Sequence, residues 1–202
     1  MAKKTTYVGV VLDESGSMAF GKDKTVSGIN DYTGALKGSK NPIKFTRVRF
    51  GGQNIRKDYV NTPMRDVGLL SDYHPGGGTP LFDAIGDTIS EVEAQTEGKN
   101  VGVVIVIMTD GQENMSTRWT KDSIMSLISK KEEAGWQFLF LGANKDAMNG
   151  GSSIGVANSF VANYGDRSFY SSLGDTTVRY AAQSATYGSS ASIDTTTLKV
   201  TK

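Results

Sequence analysis

Three side chains with oxygen donors stand close together near the start of the chain, directly after an apolar run. Asp13, Ser15 and Ser17 follow residues 8–12 at alternate positions, in the pattern D-x-S-x-S. Their oxygens are hard ligands, which suit Mg²⁺ or Mn²⁺ and bind soft metals poorly. The same pattern also fits an ordinary serine-rich turn whose side chains cap a helix. Other parts of the chain must therefore decide between a metal site and a turn.

Two later segments carry side chains of the same kind. Asp110 directly follows the apolar run 101–108, and Thr79 lies in a glycine-rich loop just before a helix. In an open α/β sheet, ligands bind outside the carboxyl ends of the strands. We therefore expect one edge of the sheet to hold the full set of Asp13, Ser15, Ser17, Thr79 and Asp110. Two carboxylates would offset the charge of a dication and leave it positions for water, as Mg²⁺ prefers.

The elements that must position these residues follow from hydrophobic periodicity. Continuous apolar runs at 8–12, 101–108 and 136–141 predict buried parallel strands. Apolar spacings of three and four residues predict helices that end near Gly38, begin at Leu81 and cover 124–131. Because strands alternate with helices, the pattern predicts a doubly wound α/β fold with a mostly parallel central sheet and helices on both faces.

Other segments are predicted to lie at the edges of this fold. Residues 43–50 and 54–60 alternate in polarity around Gly51-Gly52, which predicts an antiparallel hairpin at a sheet edge with one solvated face.

Beyond Gly142 the pattern is weaker. It predicts a short helix within 146–156, an edge strand at 159–162 and a closing helix at 178–187. We expect the domain to span 5–187 and the Ser- and Thr-rich residues 188–202 to form a loosely held tail.

Composition excludes several classes of function. The chain has 202 residues, with 22 Lys and Arg against 21 Asp and Glu, so no general field attracts nucleic acid or a membrane surface. The absence of cysteine excludes disulfides, thiolate metal sites and a cysteine nucleophile. The sequence has no stretch of about 20 apolar residues and no signal-peptide pattern. We expect a cytoplasmic protein that binds neither nucleic acid nor a membrane.

The chain resembles von Willebrand factor type A domains in three segments. These are D-E-S-G-S-M at 13–18, G-G-G-T-P-L-F-D-A-I at 76–85 and T-D-G at 109–111, in the family's order and strand context. The small size, the lack of cysteine and the S-G-S-M form are more similar to bacterial and phage-encoded members than to secreted animal ones.

The resemblance implies a Rossmann-like fold and a metal ion-dependent adhesion site. Mg²⁺ or Mn²⁺ would be held there by Asp13, Ser15, Ser17, Thr79 and Asp110. It further implies that a partner protein binds by placing an Asp or Glu carboxylate on the ion. The residues themselves argue against an enzyme, because no catalytic acid, base or nucleophile stands out beside the loops.

Two alternatives use the same residues differently. A Mg²⁺-dependent hydrolase of phosphate esters would need a positioned acid or base, and only Glu14 and Glu113 stand near the loops. A self-assembling structural protein would bind another copy of itself. We expect Glu14 and Glu113 to be solvated loop carboxylates and His74 to be a plain loop residue. The glycines at 76–78 lack the G-K-[ST] sequel of a phosphate-binding loop.

Overall fold

A six-stranded sheet forms the centre of the computed structural model, which describes residues 3–143, 145–162 and 166–198, the side chains of 145–147 excepted. The strand order is β3-β2-β1-β4-β5-β6. The strands are β1 (Thr6–Asp13), β2 (Ile43–Gly51), β3 (Asn54–Pro63), β4 (Gly102–Thr109), β5 (Gln137–Gly142) and β6 (Ser159–Val161). Only the β2–β3 pair is antiparallel among the described strands, and β3 lies at the edge. The predicted antiparallel edge hairpin is confirmed.

Helices cover both faces of the sheet. They are α1 (Lys22–Lys37), α2 (Leu81–Thr96), α3 (Lys121–Glu133), α4 (Lys145–Ser153) and α5 (Arg167–Tyr187), with shorter 3-10 helices at Gly16–Gly21, Met64–Asp66 and Gly188–Ser190. Ile29 of α1 and Leu173 of α5 share one buried cluster with Val10 of β1. Ile89 of α2 and Ile128 of α3 belong to a second cluster on the other face. This arrangement confirms the predicted doubly wound α/β fold with helices on both faces.

The register of the central strands sets where the site residues emerge. Strand β1 pairs in parallel with β4, and Leu12 stands opposite Met108. Asp13 therefore lies at the end of β1, and Asp110 lies directly after the end of β4, at the same edge of the sheet. We call this edge the carboxyl edge.

The hairpin differs from its prediction on strand β2. Both faces of β2 are covered, and Arg47 and Arg49 are buried although alternation predicted a solvated face. The two guanidinium groups pair with Asp58 of β3, so their charge does not need water. The residues of β3 are more accessible than those of β2, as expected for an edge strand.

The C-terminal part is more ordered than predicted. Helix α5 begins at Arg167 rather than at 178, and its Tyr170 and Leu173 belong to the core. In contrast to the expected loose tail, Ile193 and Leu198 are buried in the same cluster. A few apolar side chains therefore suffice to hold the segment through residue 198. Residues 199–202 of the predicted tail lie outside the described residues, and the domain limits 5–187 stay a prediction.

No described helix is both long and apolar enough to cross a membrane.

Candidate functional site

The predicted site residues lie on three loops at the carboxyl edge. Asp13 is the last residue of β1, and Ser17 lies in the 3-10 helix that follows it. Asp110 follows β4, and Thr79 precedes the first residue of α2 by two positions. The parallel pairing of β1 with β4 brings the first and third loops together.

A chain of hydrogen bonds links four of the five residues. The backbone N–H of Ser15 donates to Asp13 Oδ1 over 2.7 Å. The hydroxyl oxygens of Ser15 and Ser17 lie 3.2 Å apart, and Ser17 Oγ donates to Asp110 Oδ1 over 2.5 Å. These four residues therefore meet at one point of the edge, as the sequence predicted.

Thr79 lies beside the same point, next to Gly111. A Cβ placed on Gly111 would lie 3.4 Å from Thr79 Oγ1 and 3.5 Å from Ser17 Oγ. The Thr79 loop is also tied to the loop after β4, because Thr79 N donates to Asn114 Oδ1 over 2.8 Å. The structure thus brings the five predicted residues to one edge, and their role as metal ligands stays a prediction.

The two carboxylates have no cationic partner among the residues that the structure describes. Asp13 is fully buried and Asp110 is partly buried, yet the ion pairs formed by the described residues include neither. Burial, and to a lesser extent repulsion by Asp110, raises the pKa of Asp13 to about 6. Burial also raises the pKa of Asp110. An uncompensated buried carboxylate is costly, so this edge favours a bound cation.

The donor set is poor in carboxylates and rich in hydroxyls. Among the described residues, no group of three or more His, Cys, Asp or Glu side chains could hold a metal. The predicted set does not need one, since three of its five donors are the hydroxyls of Ser15, Ser17 and Thr79. Hard oxygen donors of this kind fit Mg²⁺ or Mn²⁺ in chemistry and in charge.

Two further residues hold Asp13 in place, and sequence reasoning did not assign them a role. Thr109 Oγ1 donates to Asp13 Oδ2 over 2.5 Å and accepts from Gly111 N over 3.1 Å. The buried Tyr73 hydroxyl donates to the backbone carbonyl of Asp13. The position of Thr109 within T-D-G was a usable signal, whereas Tyr73 is a single aromatic residue in an irregular segment and gave none.

Glu14 is a structural residue, so the prediction that it is solvated is wrong. Its side chain is 13% exposed and pairs with Arg49 and Arg56. Its carboxylate also accepts from the backbone N–H of His74. These residues line a cavity of about 590 Å³ beside the predicted site. His74 lies in an irregular segment, as expected of a plain loop residue, and is exposed.

Glu113 is likewise held within its own loop instead of being solvated. Its carboxylate accepts from Phe82 N over 2.8 Å and from Ser116 N over 2.7 Å. Asp83 of α2 fixes the next part of this loop by accepting from the backbone N–H groups of 117–119. Although burial opposes it, these donors keep the pKa of Asp83 below its ordinary value.

The glycine loop 76–78 allows close contact between backbones. Gly77 has a φ of +72°, and a Cβ there would lie 2.4 Å from Gly52 Cα. Gly16 N donates to Gly77 O over 2.9 Å, and Gly52 N donates to Gly78 O over 2.8 Å. The glycines are therefore needed to join the site loop to the hairpin, and no phosphate is required to explain them.

Comparison with known proteins identifies one relative and several similar folds. No family model matches the chain. The magnesium-chelatase 67 kDa subunit of Heliobacterium mobile is 29% identical over 176 residues, which cover 80% of this chain and 26% of that protein. The chain thus spans about a quarter of the length of this relative.

Two solved structures illustrate the fold. A von Willebrand factor type A protein from Catenulispora acidiphila matches with a TM-score of 0.58 and 14% identity, over 90% of this chain and 43% of that one. The manganese-loaded TRAP protein of Plasmodium vivax matches with a TM-score of 0.51 and 16% identity, over 72% of this chain and 59% of that one. The chain therefore has the von Willebrand factor type A fold, and the resemblance in sequence is confirmed at the level of the fold.

Proposed function

We propose that this von Willebrand factor type A domain is a metal-dependent protein-binding module. Mg²⁺ or Mn²⁺ would be held at a metal ion-dependent adhesion site by Asp13, Ser15, Ser17, Thr79 and Asp110. When bound, the ion supplies a positive charge and an open coordination position that suits a carboxylate oxygen. The partner is a protein that presents an Asp or Glu side chain there.

The uncompensated negative charge at the carboxyl edge is the observation that carries this proposal. Asp13 is fully buried without an ion pair among the described residues, and Asp110 lies close enough to raise its pKa. A dication would balance the two carboxylates, while the neutral hydroxyls add ligands without adding charge. A divalent cation is also supported by the TRAP structure of similar fold, which is described as manganese-loaded.

In this proposal, some residues hold the ligand Asp13 in place and others face the partner. Ser15 N and Thr109 Oγ1 fix the two oxygens of Asp13 at the end of β1. Ser17 is exposed and Asp110 is partly buried, so these two side chains are on the side that a partner can reach.

The arrangement favours binding over hydrolysis. Proton transfer needs a free acid or base beside the ion. Glu14 is paired with Arg49, and Glu113 accepts three N–H or O–H donors from its own loop besides that of Phe82. Neither carboxylate is therefore arranged as a free proton carrier.

Titration of the purified chain with Mg²⁺ or Mn²⁺ alone tests the metal site, and affinity capture from the native host's lysate in Mg²⁺ or in EDTA tests the partner. We expect a single site whose occupancy is lost in Asp13→Ala and in Ser17→Ala, the second being a change at an exposed side chain that spares the fold. Asp87→Ala is the matched control, because Asp87 pairs with Arg118 on the outside of α2. Absence of metal binding, or capture that survives both EDTA and Asp13→Ala, contradicts the proposal.

A further inference from the structure

Phe20 stands in solvent beside the proposed metal site. The residue is 101% exposed, as accessible as in an extended peptide, whereas Phe45, Phe50, Phe138, Phe140 and Phe169 are buried. Aromatic side chains are common among the residues that contribute most to binding at protein interfaces. Phe20 is therefore fully available for contact with a partner that binds at this edge.

The 3-10 helix places Phe20 on the same face as a predicted metal ligand. Ser17 and Phe20 are three residues apart in the helix Gly16–Gly21. In a 3-10 helix, side chains three positions apart eclipse each other, and a rise of about 2 Å per residue separates them by about 6 Å along the axis. This geometry predicts that the phenyl ring and the Ser17 hydroxyl face the same side, whereas Met18, which lies between them in sequence, is fully buried.

The backbone around Phe20 is fixed on both sides. Before it, Gly16 N donates to Gly77 O over 2.9 Å, and Met18 N donates to Ser15 O over 3.1 Å. After it, Thr25 Oγ1 donates to Gly21 O over 3.0 Å at the start of α1. An aromatic side chain on a fixed turn loses little conformational entropy when a partner covers it.

We infer that Phe20 is a specificity-determining residue of the proposed site and selects a partner segment with a large apolar side chain two positions from its metal-binding Asp or Glu. In an extended segment, side chains two residues apart lie on the same side and about 6.6 Å apart, which matches the separation of Ser17 and Phe20. The ion takes the carboxylate and the phenyl ring packs on the apolar side chain. This inference rests on the proposed function.

Selection from a random-peptide library on the full chain tests it. Peptides are bound in Mg²⁺ and eluted with EDTA, and their affinities are measured on the wild type and on variants. We expect the selected peptides to pair an Asp or Glu with Leu, Ile, Phe, Trp or Met two positions away. Phe20→Ala should weaken the binding of these peptides roughly tenfold or more, because the phenyl ring is no longer buried against the peptide. Phe20→Leu should retain part of the affinity.

A matched control is available at the other end of the molecule. Tyr187 is 63% exposed at the end of α5. It lies near the start of β1, since Lys4 N contacts Ala185 O, and thus away from the carboxyl edge. Tyr187→Ala should leave every affinity unchanged, and both aromatic variants should unfold at the wild-type denaturant concentration.

The outcomes separate this inference from the proposed function. Peptides that need Mg²⁺ but bind Phe20→Ala as well as the wild type overturn the inference and leave the metal-dependent function standing. Peptides that bind equally in EDTA, or a selection that yields no peptide from a chain that binds Mg²⁺, overturn the inference. Failure of the chain to bind Mg²⁺ or Mn²⁺ by itself overturns both.

Discussion

Two neighbouring regions of this molecule bury charge in opposite ways. In the hairpin, Arg47 and Arg49 are each 2% exposed, and their Nε atoms lie 2.8 and 2.7 Å from Asp58 Oδ2. At the carboxyl edge, Asp13 is fully buried and has no ion pair among the described residues. In the hairpin, carboxylates of the same chain pair with the buried guanidinium groups. At the carboxyl edge, the buried carboxylate of Asp13 has no such partner among the described residues, so a cation from solution could balance it.

The two regions are in direct contact, which makes the difference informative. Glu14, the residue after Asp13, pairs with Arg49 of the hairpin. A guanidinium group is thus available one residue away, yet it is used by Glu14, Asp58 and Asp72 and not by Asp13. Proximity alone does not decide which carboxylate is paired. This difference distinguishes the stabilising ion-pair cluster of the hairpin from the proposed metal site.

The largest expected effect is loss of the hairpin cluster. Asp58→Ala leaves two buried guanidinium groups without their shared carboxylate and should lower the free energy of unfolding by about 3–5 kcal/mol. Urea denaturation measures it. Asp87→Ala, which removes an exposed pair with Arg118, should cost less than about 1 kcal/mol. Equal losses in the two variants would mean that the hairpin pairs are no stronger than surface pairs.

The next effect concerns Asp13 and has the opposite sign. In the absence of a cation, burial raises the pKa of Asp13 to about 6, against 3.8 for an ordinary aspartate side chain. A raised folded pKa means that the associated stability is fully present below about pH 4 and is lost as pH rises through about 6. Asp13→Asn removes this dependence, so in EDTA it should gain roughly 3 kcal/mol relative to the wild type between pH 4 and pH 7.

Denaturation in EDTA across this range checks the prediction for Asp13. Asp87→Asn serves as the control for a carboxylate that already has a cationic partner, and it should give no gain in stability. If the free energy of unfolding varied with pH in the same way for the wild type and Asp13→Asn, ionisation of the buried carboxylate would not destabilise the fold.

A smaller effect is expected where the two regions join. Gly77→Ala forces a Cβ to within 2.4 Å of Gly52 Cα and puts alanine at a φ of +72°. It should cost about 2 kcal/mol or more, and it should weaken Mg²⁺ binding because the same loop holds Thr79. Gly98→Ala has a similar φ of +70° with no atom within 4 Å, and should cost about 1 kcal/mol without affecting metal. Identical effects at the two glycines would contradict the close contact.

The smallest effect is expected from a single hydroxyl. Tyr73→Phe removes the donor to the Asp13 carbonyl and should cost about 1 kcal/mol, together with a modest loss of Mg²⁺ affinity in calorimetry. Tyr32→Phe removes a buried hydroxyl that contacts Thr177 between α1 and α5. Tyr32→Phe should lower stability by a similar amount and leave the affinity for Mg²⁺ unchanged. A loss of Mg²⁺ affinity in both variants would assign the effect to general loosening.

Much of the fold could be predicted because the central strands are apolar without interruption. Strands β1 and β4 and the start of α2 at Leu81 follow directly from their sequences. The alternation in β2 predicts one solvated face, which the structure does not have. Polar side chains alternate in the same way whether they face water or, like Arg47 and Arg49, pair with a carboxylate. The sequence pattern does not reveal the start of α5 at Arg167, because residues 167–177 are largely polar.

The sequence predicts which residues form the candidate site. It does not predict the contacts that hold them in place. The spacing of Asp13, Ser15 and Ser17 and the motifs around Thr79 and Asp110 identified the loops. The contacts of Thr109 and Tyr73 with Asp13 depend on residues 96 and 60 positions away. Local sequence patterns do not predict contacts between residues so far apart in the chain. The pairing of Glu14 with Arg49 could not be predicted for the same reason.

The hydrogen bonds that tie the loops together have a consequence for the kinetics of binding. Hydrogen bonds within the chain join Gly16 to Gly77, Gly52 to Gly78 and Thr109 to Asp13. Because these bonds hold the loops together, a cation at the proposed site would not have to assemble distant segments. Binding should therefore proceed without a slow conformational step, and hydrogen exchange at the loop amides should change little when Mg²⁺ is added.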